Sequence, residues 1–544
     1  MNRETESHFA NMPRVNIQRS KMKRPHTHKL SFDSGDLVPI YLDQDILPGD
    51  SVKIDMGSII RMTTPIFPVM DNSFIDVYFF FVPNRLIWEH WEEFWGQNDE
   101  TAWRQLVEYE IPQIEAPSGG WNNGTLADYM GLPTYLDNIS VSALPFRAYA
   151  KIVNDWFRDE NLKDGTYFPV DETTVTGVNT DNYVTDIVLG GKPYKAAKIH
   201  DYFTSALPSP QKGPDVTIPL GKFSPVITRN YNIPANPDDT YGLYWAHIDD
   251  SAVNAGGIGT YSTGATSHTN TLGTADGPIK PINLWADLSE ASAATINELR
   301  QAVAIQDFYE AEARYGSRYT EFIRGIFGVT SPDARLQRSE YLGGYRTPIN
   351  VTQVLQTSST DAVSPQGNTG AYSYTPDQRS VFTQSFTEHG ILMGLAVVRT
   401  DNTYQQGIER GWSRKKWTDF YIPQFAHLGE QAILNKEIYA QGTSTDDEAF
   451  GYQEAFADYR YKPSRISGAL RSNNPGGSLD AWHYADYYTE LPVLGETWID
   501  EPKSRVARTL AVKDEPQFIA DFYFDATYVR PMPVYSIPGI GMHF

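Results

Sequence analysis

Residues that carry chemistry are present in this sequence, yet few stand at the spacings a reaction needs. A phosphate-cradling loop requires successive glycines, then Lys and a hydroxyl residue at a helix start. The nearest text, Gly190-Gly191-Lys192-Pro193, lacks the upstream glycine and places Pro after the Lys. Gly257-Ile258-Gly259 follows no strand-like run, so no dinucleotide site is expected there. No two His stand four apart with a Glu between them, so the zinc-hydrolase helix is missing. In His200-Asp201-Tyr202 the side chains are adjacent and rarely converge on one point, so a structural role is expected. The carboxylate pairs Asp238-Asp239 and Asp249-Asp250 lack the Gly and Glu positions of a calcium loop. A glycosidase carboxylate pair is assembled in space and leaves no spacing to read. With no Cys, disulfides, thiol nucleophiles and Cys-based metal sites are excluded. No catalytic, cofactor-binding or metal-ligating residue is therefore assigned, and a divalent cation bridging subunits stays open.

One group does acquire a chemistry from its grouping. Residues 1–30 hold Arg3, Arg14, Arg19, Lys21, Lys23, Arg24 and Lys29 against Glu4 and Glu6, a net of +5. The chain as a whole carries −22, which leaves −27 on residues 31–544. Such a body repels nucleic acid on average, whereas the arm attracts it. Arg14, Arg19, Lys21, Lys23 and Arg24 are the expected phosphate contacts, driven by charge and blind to base identity. The competing reading is a solubilising tail, or an arm that ties neighbouring subunits together.

The elements that must position these groups are mainly strands. The arm 1–30 shows no periodicity and is expected to be mobile or ordered by a partner. Strand signals follow at 37–42, 52–62 and 74–82, the last apolar on both faces apart from Asp76. Strands return at 388–399 and 517–530, where Phe518, Ala520, Phe522, Phe524, Ala526 and Tyr528 alternate with Asp521, Asp525 and Thr527. Helices are expected at 85–95, 145–160 and 296–315, the last with Thr295 and Glu298 as a capping box. Strands at both ends, with helices and loops between, fit an antiparallel barrel or jelly roll whose loops have grown. Between 251 and 280, Gly, Ser, Thr and Asn supply 17 of 30 residues, too little apolar surface for a core. No apolar run approaches the roughly 18 residues of a membrane helix.

Several stretches resemble the major capsid protein of gokushoviruses, single-stranded DNA bacteriophages of the Microviridae. One is Leu144-Pro-Phe-Arg-Ala-Tyr-Ala-Lys-Ile-Val-Asn-Asp-Trp-Phe-Arg-Asp-Glu-Asn-Leu162. Another is His200-Asp-Tyr-Phe-Thr-Ser-Ala-Leu-Pro-Ser-Pro-Gln-Lys-Gly213. Further blocks are Ile296-Asn-Glu-Leu-Arg-Gln301, 328–338, 340–350 and Pro533-Val-Tyr-Ser-Ile-Pro-Gly539, so the likeness runs through the chain.

The resemblance implies a mainly β fold, an eight-stranded antiparallel jelly roll with large helix- and loop-containing insertions. It implies self-assembly into a T = 1 icosahedral shell of sixty copies around a circular single-stranded DNA genome. It places the family's threefold protrusion near 221–280, where host recognition through a surface receptor is expected. The arm 1–30 would be internal and 31–544 a single capsid domain, in a virion assembled in the host bacterial cytoplasm. Sixty arms of +5 neutralise at most about a fifth of the phosphates in a strand just long enough to encode 544 residues. A separate small basic protein, or polyamines and divalent ions, is therefore expected beside the genome, and the resemblance points to a small DNA-binding protein in that role. The alternative is a carbohydrate-active or carbohydrate-binding β-protein, suggested by the aromatic residues and scattered carboxylates.

Overall fold

Alternation of apolar and polar residues builds the frame of this molecule. The computed structural model describes residues 18–97, 108–214, 216, 226–228, 245–247, 279–281, 284–286, 296–316, 318–357, 366–367 and 369–535. The chain divides into two units, residues 1–210 with 312–544, and residues 211–311.

Two four-stranded antiparallel sheets dominate the first unit. Their strands are β1 (Ser20–Phe32), β2 (Val38–Ile46), β3 (Ser51–Met62), β4 (Ser73–Pro83), β5 (Glu340–Pro348), β6 (Thr375–Ser385), β7 (Gly390–Thr400) and β8 (Phe518–Arg530). The first sheet runs β1-β8-β3-β6 and the second β5-β4-β7-β2. The mainly β, antiparallel class expected from the sequence is the one observed.

In β8, Phe518, Ala520, Phe522, Phe524, Ala526 and Tyr528 are buried while the intervening residues face away. They join Val52, Ile54 and Met56 of β3 in packing on Ile75, Val77 and Phe79 of β4 and Leu392, Ala396 and Val398 of β7. Each Val, Ile, Leu, Met or Phe among them contributes about 1.5–3 kcal/mol on burial. The second sheet is covered on its other face too. There Phe80, Val82, Ile391, Met393 and Leu395 pack with Trp88, Trp121 and the helix α1 (Leu144–Ile152). Double coverage explains why β4 and β7 read as unbroken apolar runs. Asp76, the charge within β4, accepts from Arg346 Nε at 2.6 Å and from Arg399 Nε at 3.0 Å. The first sheet differs: its second face is open, with Ile59, Tyr523 and Ile519 left 40, 47 and 55 % exposed.

The expectation of an arm without regular structure over 1–30 is corrected at its end. Residues 1–17 lie outside the described residues, but β1 pairs with β8 from Ser20 to Phe32. Its alternation is hidden because polar Arg24, His26 and His28 occupy the inward positions. There His26 stacks on Phe524 at 5.3 Å and His28 hydrogen-bonds Ile40 O at 2.9 Å. Pro25 is tolerated because β1 is a sheet edge.

Helix expectations change as well. The stretch 85–95 holds a 3-10 turn at Asn84–Leu86 and a single turn at Trp91–Phe94. Between them Ile87 and Trp88 are both fully buried, and Glu89 N–H donates to Val170 O at 3.0 Å in place of a helical carbonyl. The stretch 145–160 is α1, followed by a π-helical turn at Val153–Phe157. The helix α2 (Ile296–Tyr315) has its expected bounds and stops at Gly316, whose φ of +91° favours glycine. Thr295, of its expected capping box, lies outside the described residues.

The described strands of the second unit are two antiparallel pairs, Val226–Thr228 with Leu284–Ala286 and Trp245–His247 with Ile279–Pro281. The segment 221–280 belongs to this unit, and its residues 248–278 lie outside the described ones.

Candidate nucleic-acid interface

Successive strand residues point to opposite faces, so the register of the first sheet sorts its charges. The open face is a grid of rows, each taking one residue from β1, β8, β3 and β6 in turn. The rows are Lys21, Val529, Ser51, Ser385; then Lys23, Thr527, Lys53, Thr383; then Pro25, Asp525, Asp55, Ser380. Next come Thr27, Tyr523, Gly57, Gln378, and finally Lys29, Asp521, Ile59, Pro376. With Arg61 beyond them, five cations meet three carboxylates, leaving a net of +2 on this face of a chain whose total is −22.

The lysines are held loosely. Lys23 lies 3.4 Å from Asp525, Lys29 3.1 Å from Asp521 and Lys53 2.8 Å from Asp55, with the three side chains 61, 68 and 48 % exposed. Hydrogen bonds from Lys53 and Ser380 hold the Asp55 carboxyl below the usual carboxylate range. Exposed ion pairs contribute only about 0–1 kcal/mol, so a polyanion can replace these carboxylates at little cost.

The structure separates the residues expected to contact phosphate. Arg14 lies outside the described residues. Arg19 and Lys21 are exposed and form no ion pair among the described residues. Lys23 stands on the open face, but Arg24 points to the opposite one. Its guanidinium is 2.8 Å from Asp43, itself 2 % exposed, and lies over the Tyr528 ring at 5.1 Å. Lys29, a cation of the arm outside the expected contacts, stands on the open face too, as do Lys53 and Arg61 of β3. The available signal was parity: in β3 the charges alternate with the buried Val52, Ile54 and Ile60.

The other motifs resolve into structure. Asp201 accepts from the backbone N–H of Phe203 and Thr204 at 3.0 and 2.9 Å and from Tyr404 Oη at 2.7 Å, shaping a turn. Gly191 N–H donates to Asp186 O at 2.9 Å, so this backbone group is used within the turn. Asp238, Asp239, Asp249 and Asp250 lie outside the described residues. Among the described residues, no group of three or more His, Asp or Glu side chains could hold a metal ion, and no helix is long and apolar enough to cross a membrane.

Comparison with known proteins gives one consistent result. The sequence model of a family described as capsid protein (F protein) matches residues 10–540. Capsid protein VP1 of Spiroplasma virus 4 is 45 % identical over 533 residues, covering 96 % of both chains. Capsid protein VP1 of Bdellovibrio phage phiMH2K is 44 % identical over 542 residues, and that of Chlamydia phage 1 is 40 % identical over 593, each covering 98 % of both chains.

Proposed function

This chain belongs to the capsid protein (F protein) family, and from that premise we propose that it forms a T = 1 icosahedral shell of sixty copies around a circular single-stranded DNA genome. Membership makes it a structural component of the virion and not an enzyme. The observation that carries the finer reading is the strand order. Strand 1 neighbours 8, 2 neighbours 7, 3 neighbours 6 and 4 neighbours 5. That order results when one long antiparallel hairpin is wound into a jelly roll. Trp412, Trp417, Tyr319 and Phe327, 81, 69, 69 and 66 % exposed, support association with further copies, since aromatic residues are enriched in contact surfaces.

In this reading the arm and the open face of the first sheet turn inward. Arg14, Arg19, Lys21 and Lys23 contact phosphates without base specificity, and Arg24 joins them only by leaving Asp43. A small basic DNA-binding protein accompanies the genome. The insertion 221–280 reaches the outer surface at the threefold axes and takes part in recognising a host receptor. Assembly takes place in the bacterial cytoplasm. Electron microscopy and mass measurement of the purified protein test the reading: uniform shells of sixty times the subunit mass are expected, and a monodisperse monomer would overturn it.

A further inference from the structure

Five glycines lie in the eight strands, and four have a cause inside the chain. A Cβ on Gly343 would stand 3.0 Å from Val381 O, and one on Gly344 2.2 Å from Val77 O. On Gly390 and Gly394 it would meet the rings of Phe81 and Phe79 at 2.4 and 2.8 Å. Gly57, in the middle of β3, is different. A Cβ there meets only Asp377 O at 3.9 Å, an ordinary contact, and its φ is not left-handed. Glycine weakens a strand relative to alanine, so the subunit alone supplies no reason for it. Strand glycines without an internal cause mark places where a ligand comes close to the backbone.

The missing side chain opens a depression of about 430 Å³ on the open face of the first sheet. Gly57 is its floor, and Tyr523, Ile59 and Pro376 supply apolar walls. Thr27 and Gln378 bring a hydroxyl and an amide to the rim, and Asp521 a carboxylate. Lys29 stands in the next row and Lys23 and Lys53 two rows away on the other side. Rows on one face are about 6.8 Å apart along a strand, close to the phosphate spacing of an extended single strand.

We infer that this notch receives a nucleobase of single-stranded DNA, stacked on the Tyr523 ring, with the flanking phosphates running over Lys23, Lys29 and Lys53. The inference rests on the reading that this face meets the genome. A base has an apolar face for Tyr523 and a polar edge for Gln378. The amino group of adenine, cytosine or guanine, or the ring N–H of thymine, can donate to Asp521, a carboxylate that would repel a phosphate. The lysines in the surrounding rows favour a polyanion over a side chain of a second copy. Stacking of this kind tolerates any base, as a shell holding a whole genome requires.

Ultraviolet crosslinking of DNA-filled particles, followed by nuclease digestion and mass spectrometry, is the test. Nucleotide adducts are expected on Tyr523, and about tenfold fewer in Gly57→Val particles of equal DNA content, because the valine fills the notch. Adducts elsewhere with none on Tyr523, or adducts unchanged by Gly57→Val, would overturn the site. Protection of Tyr523 from iodination equally in empty and filled shells would place a second copy in the notch and also overturn it. If the variant shells do not form, oligothymidylate binding to the unassembled subunit decides. Tyr523→Ala should then weaken binding about tenfold and Tyr523→Phe hardly at all, and equal binding by all three proteins would refute the site. Loss of the shell in the unsubstituted protein would count against the capsid geometry alone.

Discussion

Tyr41 and Tyr528 meet hydroxyl to hydroxyl at 2.5 Å between the sheets, and Tyr528 also donates to Asp43. Burial pushes the Tyr41 hydroxyl up to about 12 and raises that of Tyr528 as well. An unfolded tyrosine titrates near 10. Above that pH the unfolded chain releases protons that the folded one keeps, so stability is full below about 10 and is lost as pH rises towards about 12. The melting temperature should therefore hold to about pH 9.5 and then fall, and Tyr41→Phe should make the fall shallower. An identical slope in the variant would show that Tyr41 has no part in it. The neighbouring cations separate two roles that the sequence alone merges. Arg24→Ala leaves the buried Asp43 carboxylate without its cation and should lower stability to urea by about 1–3 kcal/mol. Lys23→Ala breaks an exposed pair and should lower it by less than about 1 kcal/mol, while reducing the salt-dependent retention of DNA. Equal stability of the two variants would remove the distinction.

At the scale of elements, the central strands were legible and most edges were not. β8 announces itself by alternation, and β4 and β7 by unbroken apolar runs. Of the eight strands in the two main sheets, the three missed, β1, β5 and β6, all lie at sheet edges. Edge strands carry polar residues, Pro and Gly that blunt unwanted pairing, and these erase the period-two signal. In β1 it was lost to Arg24, His26, His28 and Pro25, and in β5 to Gly343 and Gly344. The glycine pair is a packing requirement that no spacing reveals, because its causes lie on other strands, Val381 of β6 for Gly343 and Val77 of β4 for Gly344. Gly344→Ala should push Cβ into Val77 O and cost about 1–3 kcal/mol, read as a lower urea midpoint. Gly57→Ala, whose Cβ would meet only Asp377 O at an ordinary contact distance, should leave the midpoint unchanged or raised. A tolerated Gly344→Ala would mean that the β4 and β5 pairing is looser than described. Of the candidate interface, the arm's charge was legible from grouping alone. The open face was not, because it gathers Lys53, Tyr523 and Gln378 from strands more than a hundred residues apart.

At the scale of the whole molecule, charge sets the terms of packaging. The arm's +5 is partly spent within the subunit, since Lys23, Arg24 and Lys29 each face an aspartate. The remaining body is strongly acidic, so the demand for other cations around the genome is greater than arm charge alone suggests. Gels of purified full particles should show a small basic protein. If the shell protein is the only species, and DNA survives chelation and dialysis free of polyamines, that expectation fails. The low-charge segment offers a separate check: deleting 251–277 should leave shells intact and lower adsorption to host cells, whereas loss of shells would make the segment an assembly element. The central claim is geometric, that this family member closes into a shell with the open face of β1, β8, β3 and β6 lining the inside. A density reconstruction of DNA-filled particles measures it directly. Sixty copies are expected, with Lys23, Lys53 and Tyr523 facing the interior and density for nucleic acid over them. The same face turned to the exterior, or covered by another subunit, would contradict it.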